Sequence, residues 1–274
     1  MRRPDRPAFA RIALLLLLGA LAAGCPKPVV VDSFEVGRPL PLDDPAALRV
    51  MEAHRARVAQ GSALTGLARV ALDGPGFKLN RPQRIAVERP RRLRFEVLGL
   101  FDVLAGLLVS DGVEYGYYEA LTGRVDRGLV TQDLLWELAR LDLDPDEVVD
   151  LLLAAPVPRR DRAVVGAWRE PDFGITLAYA TPGSGSTVYF RFDPAGELRE
   201  LRAVEPGRVT RVKASFEAYG PVEGGTAGRR FPMRIRLESP KVEATALFEW
   251  KRIMLADALP DRFFAIPALE DFGG

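Results

Sequence analysis

From Leu64 onward, apolar and polar residues alternate with a period of two over most of the chain. Leu93, Phe95 and Val97 alternate with Arg92, Arg94 and Glu96, and Met233, Ile235 and Leu237 alternate with Arg234, Arg236 and Glu238. Val242, Ala244, Ala246, Phe248 and Trp250 share one face against Glu243, Thr245 and Glu249. Successive side chains of a strand point to opposite faces, so this pattern predicts strands with one dry side. Turn residues punctuate the pattern at Asp73-Gly74-Pro75-Gly76, Asp111-Gly112, Thr122-Gly123, Gly183-Ser184-Gly185 and Asp193-Pro194-Ala195-Gly196. Connections this short join antiparallel neighbours and leave no room for crossover helices. The expected architecture is mainly β: an antiparallel meander of about eleven strands, a number that favours curling.

Helical spacing interrupts the strands twice. Between Pro45 and Gly61 the residues Leu48, Met51, Val58 and Ala59 suggest one apolar face, with proline in the first turn and glycine at the end. Between Thr131 and Pro156 two further helices are expected. The first carries the stripe Leu134, Leu135, Leu138 and Leu141, with Trp136 at its edge. The second opens on Asp144-Pro145-Asp146-Glu147, an N-cap, a first-turn proline and acids facing the helix's positive end. This pair is too apolar to stand in water and is expected to lie across the open side of the curled sheet.

The first 25 residues follow another rule. Arg2, Arg3, Arg6 and Arg11 precede the apolar run Ile12 to Ala23, and Gly24-Cys25 follows, with Cys25 the only cysteine in the chain. This reads as a lipoprotein signal over residues 1–24, after which Cys25 becomes the lipidated first residue. An ordinary secretory signal cleaved after Ala20-Leu21-Ala22 is the alternative, and both readings export the protein. Residues 25–44, rich in Pro, Val and Asp, are expected as a linker, and residues 45–274 as the barrel domain. Loss of residues 1–24 moves the formal charge from +1 to −2. A near-neutral body lacks the basic excess that nucleic-acid binding requires.

The order of signal, helix, strand run, leucine-rich helix pair and second strand run resembles the LolA and LolB family of bacterial lipoprotein carriers over about residues 45 to 267. Three stretches carry the resemblance: Arg89 to Phe101, similar to a family strand ending in an apolar loop; Asp150 to Pro156, similar to its lid helix; and Phe231 to Leu237 with the strand through Trp250, similar to its closing hairpin. The resemblance implies a half-open antiparallel barrel with a helical lid and an N-terminal helix. It also implies a cavity for lipid or lipoprotein acyl chains, received from a periplasmic carrier protein and passed into the outer membrane. In the LolB type the loop exposes a hydrophobic residue to the membrane, and Phe101 matches that place, or Leu100 with a one-residue slip. Asp102 stands where the family often has glycine. Pro26, not aspartate, follows Cys25, so a familiar inner-membrane retention signal is absent and an outer-membrane anchor with the body facing the periplasm is expected.

Candidate cavity residues are Phe95, Val97, Trp168, Phe190, Phe192, Phe248 and Trp250 from the strands and Leu134 and Leu138 from the lid. An aliphatic and aromatic lining suits a lipid tail, since burial stabilises by about 0.8 kcal/mol per methylene without directional bonds. The same residues would equally fill a closed core, which would leave a structural or scaffolding lipoprotein. The arginines between Arg81 and Arg94 form the densest basic stretch, open to lipid phosphates or to a role as a solvated face. No catalytic signature stands out: His54 is the sole histidine, metal spacing of the Cys/His type is impossible with one cysteine and one histidine, and neither a Walker loop nor a nucleophile elbow occurs. The expectation is a non-enzymatic protein without cofactor or metal.

Overall fold

The alternating segments pair as hairpins because each has one apolar face to hide. The computed structural model describes residues 34–139, 141–223 and 229–267, so the expected signal segment 1–24 and the lipidation site Cys25 lie outside the described residues. The chain enters through β1 (Arg38–Leu40) and helix α1 (Pro45–Ala59). It continues through β2 (Ala63–Gly74), β3 (Phe77–Glu88), β4 (Arg92–Leu98), β5 (Leu104–Ser110), β6 (Glu114–Glu119) and β7 (Arg124–Leu129). Helices α2 (Leu134–Ala139) and α3 (Pro145–Leu152) come next. The second strand run is β8 (Ala163–Arg169), β9 (Ile175–Ala180), β10 (Thr187–Phe192), β11 (Leu198–Glu205), β12 (Val209–Pro221), β13 (Arg230–Ser239) and β14 (Ala244–Ala256).

These form one 14-stranded sheet in the order β1-β8-β9-β10-β11-β12-β13-β14-β2-β3-β4-β5-β6-β7. Every named pairing is antiparallel, and the long pairing of β14 with β2 joins the two runs. The fold is mainly β, as expected, with more strands than the eleven anticipated. Strands such as β1 and β7 account for an excess of this kind. β1 is three residues long and contains Pro39, and β7 alternates little because, at a sheet edge, its charged residues face water. β1 also shortens the expected linker, since Arg38, Pro39 and Leu40 pair with Arg169, Trp168 and Ala167.

The inward face of the sheet carries the core. Leu64, Ala68, Leu93, Leu177, Phe190, Phe192, Phe216, Ile235, Ala246 and Phe248 belong to one buried cluster with Met51 of α1 and Val148, Val149, Leu151 and Leu152 of α3. α1 starts where Asp44 Oδ1 accepts from the Ala46 amide at 2.8 Å. Its buried residues are Ala47, Met51 and His54, not the expected face: Leu48 is 49% exposed. The inward line is spaced four and three residues apart, and a small residue and an imidazole fit close to the sheet where Leu48 does not. At α3 the Asp144 amide donates to Glu147 Oε2 at 3.2 Å, the backward half of a capping box.

Candidate functional site

The interior differs between the two halves of the sheet. Over the β9–β10 side α1 fills the space, and His54 lies edge-on against both Phe190 and Phe192, at 5.5 and 5.3 Å between ring centres. Over β2 to β6 the roof is α2 with the start of α3, and beneath it lies a cavity of about 260 Å³. Its walls include Leu72, Leu79, Phe95, Val97, Leu108 and Phe248 from the strands and Leu135, Leu138, Leu141 and Val148 from the roof. A dry aliphatic cavity of roughly 150 Å³ is enough to take up benzene, so this space exceeds a packing defect.

Four of the expected cavity residues, Phe95, Val97, Leu138 and Phe248, line this space. Leu134 is fully buried beside it and leaves the lining to Leu135, one residue on. Phe190 and Phe192 face the same interior but in the half that α1 occupies, so they are core. Trp250 also points inward and is consumed by packing: it stacks on Phe248 at 6.5 Å, and a Cβ at Gly66 would meet its ring at 2.9 Å. Trp168 is on the other side of the sheet. The register of β8 shifts between Val164 and Gly166, which puts Ala167 inward and leaves Trp168 lying over Gly166 near Tyr189. Leu72, Leu79, Leu108 and Tyr117 were missed, although Leu72 opposite Leu79 on a tight hairpin is an apolar pair that alternation alone could have marked.

One end of this half carries the exposed apolar residues. The β2–β3, β4–β5 and β6–β7 connections all fall at that end, because neighbouring strands are antiparallel. Phe77 and Leu121, at two of these connections, belong to the cavity lining, so the cavity reaches this rim. In the β4–β5 loop Leu100 is 77% and Phe101 96% exposed, with Val103 exposed beside them. Two backbone bonds hold the loop shut, Gly99 amide to Val103 carbonyl at 2.8 Å and Val103 amide to Leu100 carbonyl at 3.3 Å. Phe101 and Asp102 both take positive φ, 57° and 59°, in a tight turn that presents the phenyl ring to solvent. Asp102 thus adopts the conformation for which glycine is the usual choice.

The basic stretch is mostly committed within the fold. Arg84 and Arg94 pair with Glu96, Arg92 with Glu88 and Asp261, and Arg89 with Asp150. Arg89 fastens the roof to the sheet: Nε donates to Asp150 Oδ1 at 2.7 Å, Nη1 to the Val58 carbonyl at 3.0 Å and Nη2 to the Ala155 carbonyl at 2.5 Å. Burial pushes the Asp150 carboxyl up, against the pull of Arg89. A second clamp, Arg211 on Glu147, holds the start of α3. The roof is therefore unequal, with α3 pinned by two arginines and α2 only six residues long.

His54 is buried, and its Nε2 lies 2.9 Å from the Pro156 carbonyl, which assigns the proton to Nε2. Nδ1 has no partner, and burial lowers the pKa to about 4. Among the described residues no group of three or more His, Cys, Asp or Glu is placed to hold a metal ion.

The same architecture occurs in solved proteins. A domain from Vibrio parahaemolyticus assigned to outer membrane lipoprotein sorting superposes with a TM-score of 0.50 at 12% identity, covering 79% of this chain and 95% of its own. A DUF1329 family protein from Desulfovibrio piger superposes with a TM-score of 0.53 at 13% identity, covering 81% and 98%. This chain shares the fold of these two proteins. A LolA superfamily protein from Nitrosomonas europaea is also similar, with a TM-score of 0.49 at 13% identity over 80% of this chain and 97% of its own. At such identities the likeness is one of fold alone, and no family model and no curated protein matches the sequence.

Proposed function

We propose that this protein is a LolB-type lipoprotein, anchored through Cys25 in the outer membrane with its body in the periplasm, that takes acyl chains into the cavity under α2 and assists their insertion into the membrane. The observation that carries this reading is the meeting of two features at one rim: a largely apolar cavity of about 260 Å³ and a tight loop that displays Leu100 and Phe101. A chain leaving the cavity at that rim passes the loop, so a phenyl ring seated among lipid tails would shorten its path through water. The driving force is transfer of methylenes out of water, about 0.8 kcal/mol each, and no bond is broken. Because α3 is clamped by Arg89 and Arg211, the movable part of the lid is α2, whose Leu138 faces the cavity. The guests are lipid or lipoprotein acyl chains handed over by a soluble periplasmic carrier, with no cofactor and no enzymatic step.

The scaffold alternative requires a filled interior. It describes the α1 half well and the α2 half poorly. Binding of a fluorescent fatty acid to the wild type and to Leu108→Trp decides between them, because Leu108 lines the cavity and an indole there occupies it. The expected result is saturable binding that the substitution abolishes without loss of fold. Absence of binding by the wild type, together with no co-purifying acyl species by mass spectrometry, would leave the scaffold.

A further inference from the structure

The wall of the cavity is mostly apolar, with polar residues on β3 and β6. Gln83 points inward from that strand between Ala68 and Val97, its cross-strand neighbours. It is 3% exposed, lines the cavity, and its amide has no hydrogen-bond partner among the described residues. The amide is not sealed into the core but borders the cavity, where it offers a guest both a donor and an acceptor that an aliphatic side chain of similar size would not. Two residues nearer the rim, on the same face, stands Arg81, which also lines the cavity and makes no ion pair among the described residues. In the same stretch Arg84, Arg89, Arg92 and Arg94 are paired, and Arg91, which like Arg81 has no ion pair among the described residues, does not line the cavity. The strand rise separates Gln83 from Arg81 by roughly 7 Å along the wall. Glu119, also in the lining, is engaged by the Thr122 hydroxyl at 2.7 Å, and the Tyr117 ring in the same wall carries the Arg124 guanidinium at 5.5 Å on its face.

We propose that Gln83 and Arg81 form a polar subsite that reads the head of a single acyl chain, with the Gln83 amide hydrogen-bonding a carboxyl or ester oxygen and Arg81 meeting a negative charge at the rim. The size of the cavity points to one chain: its volume is less than twice the roughly 150 Å³ that houses one benzene ring, too little for several tails side by side. The occupant is thus a single-chain amphiphile with an oxygen acceptor at its head, a fatty carboxylate first of all. The inference rests on the acyl-chain reading of the cavity and adds to it a choice among chains.

Three fluorescent probes separate the contributions: a conjugated polyene fatty acid, its methyl ester, and a hydrocarbon polyene without a head. They are titrated into the full chain carrying Cys25→Ser, so that no anchor lipid competes. Gln83→Leu is expected to weaken the acid and the ester about tenfold and to leave the hydrocarbon unchanged or tighter, because the buried amide is gone. Arg81→Ala, at an exposed position, is expected to weaken the acid about tenfold and spare the ester. A preference for the acid supports a free carboxylate as the natural head, and equal affinity for acid and ester supports an esterified chain. If both variants keep the affinities of the wild type for all three probes, the polar subsite is refuted while the acyl-chain reading stands. If the wild type binds none of the probes, both fall.

Discussion

Acidification from pH 7 to pH 4 should remove about 3 kcal/mol of stability through one side chain, His54. Burial lowers its pKa from 6.5 to about 4, the hydrogen bond to the Pro156 carbonyl opposes that shift, and the charges of Arg57 and Arg89 add to it. Phe190 and Phe192 face the ring from β10, so the pocket offers a proton on Nδ1 no acceptor. The folded-state pKa lies below the unfolded value, so the unfolded chain takes up the proton first. Stability is therefore complete above about pH 7, falls as the pH drops through 6.5, and stops falling on this account below about 4. A shift of this size is worth about 3 kcal/mol. Urea denaturation of the wild type and of His54→Leu across that range measures it. The variant should be less stable by about 1 kcal/mol at pH 7, having lost the bond to Pro156, yet decline less toward pH 4.5. As the only histidine, His54 can also be titrated by NMR without assignment. Parallel pH profiles for the two proteins, or a ring titrating near 6.5, would refute the reasoning.

Two further substitutions test the rim and the roof. Arg89→Met should destabilise by about 3 kcal/mol, visible as a lowered urea midpoint, since it strands Asp150 and the Val58 and Ala155 carbonyls; a change below 1 kcal/mol would show that water replaces the clamp. Phe101→Glu should leave the urea midpoint within about 0.5 kcal/mol of wild type and weaken association with phospholipid vesicles about tenfold; a large loss of stability would make the ring part of the core.

Those strands with one dry face were legible before any coordinates. Leu93, Phe95 and Val97, or Ala244 through Trp250, alternate because one face of these strands meets the core under the helices and the other carries their charged residues. Edge strands β1 and β7 lack that contrast, and a period-two pattern does not register them. Trp168 was misplaced because one bulge, between Val164 and Gly166, reverses the phase of all residues beyond it, and a bulge leaves little mark on composition. The distinction between core and cavity was out of reach for a different reason. Phe190 and Phe95 have equivalent patterns, and only the element above each, α1 in one case and α2 in the other, decides whether the space is filled. Gln83 was passed over because a polar residue at an inward position reads as noise in the alternation until the empty space in front of it is seen.

Phe34 is held against the body of the protein. Its ring lies between the guanidinium groups of Arg191 and Arg202, at 5.0 and 4.5 Å, and against Tyr189, while Arg208 from the β11–β12 turn reaches its carbonyl. If Cys25 carries the anchor, as proposed, the eight residues between it and Phe34 span no more than roughly 30 Å at full stretch. Under that proposal the protein would serve as a berth and not as a ferry between two membranes, and its guests would have to be brought to it by something that swims.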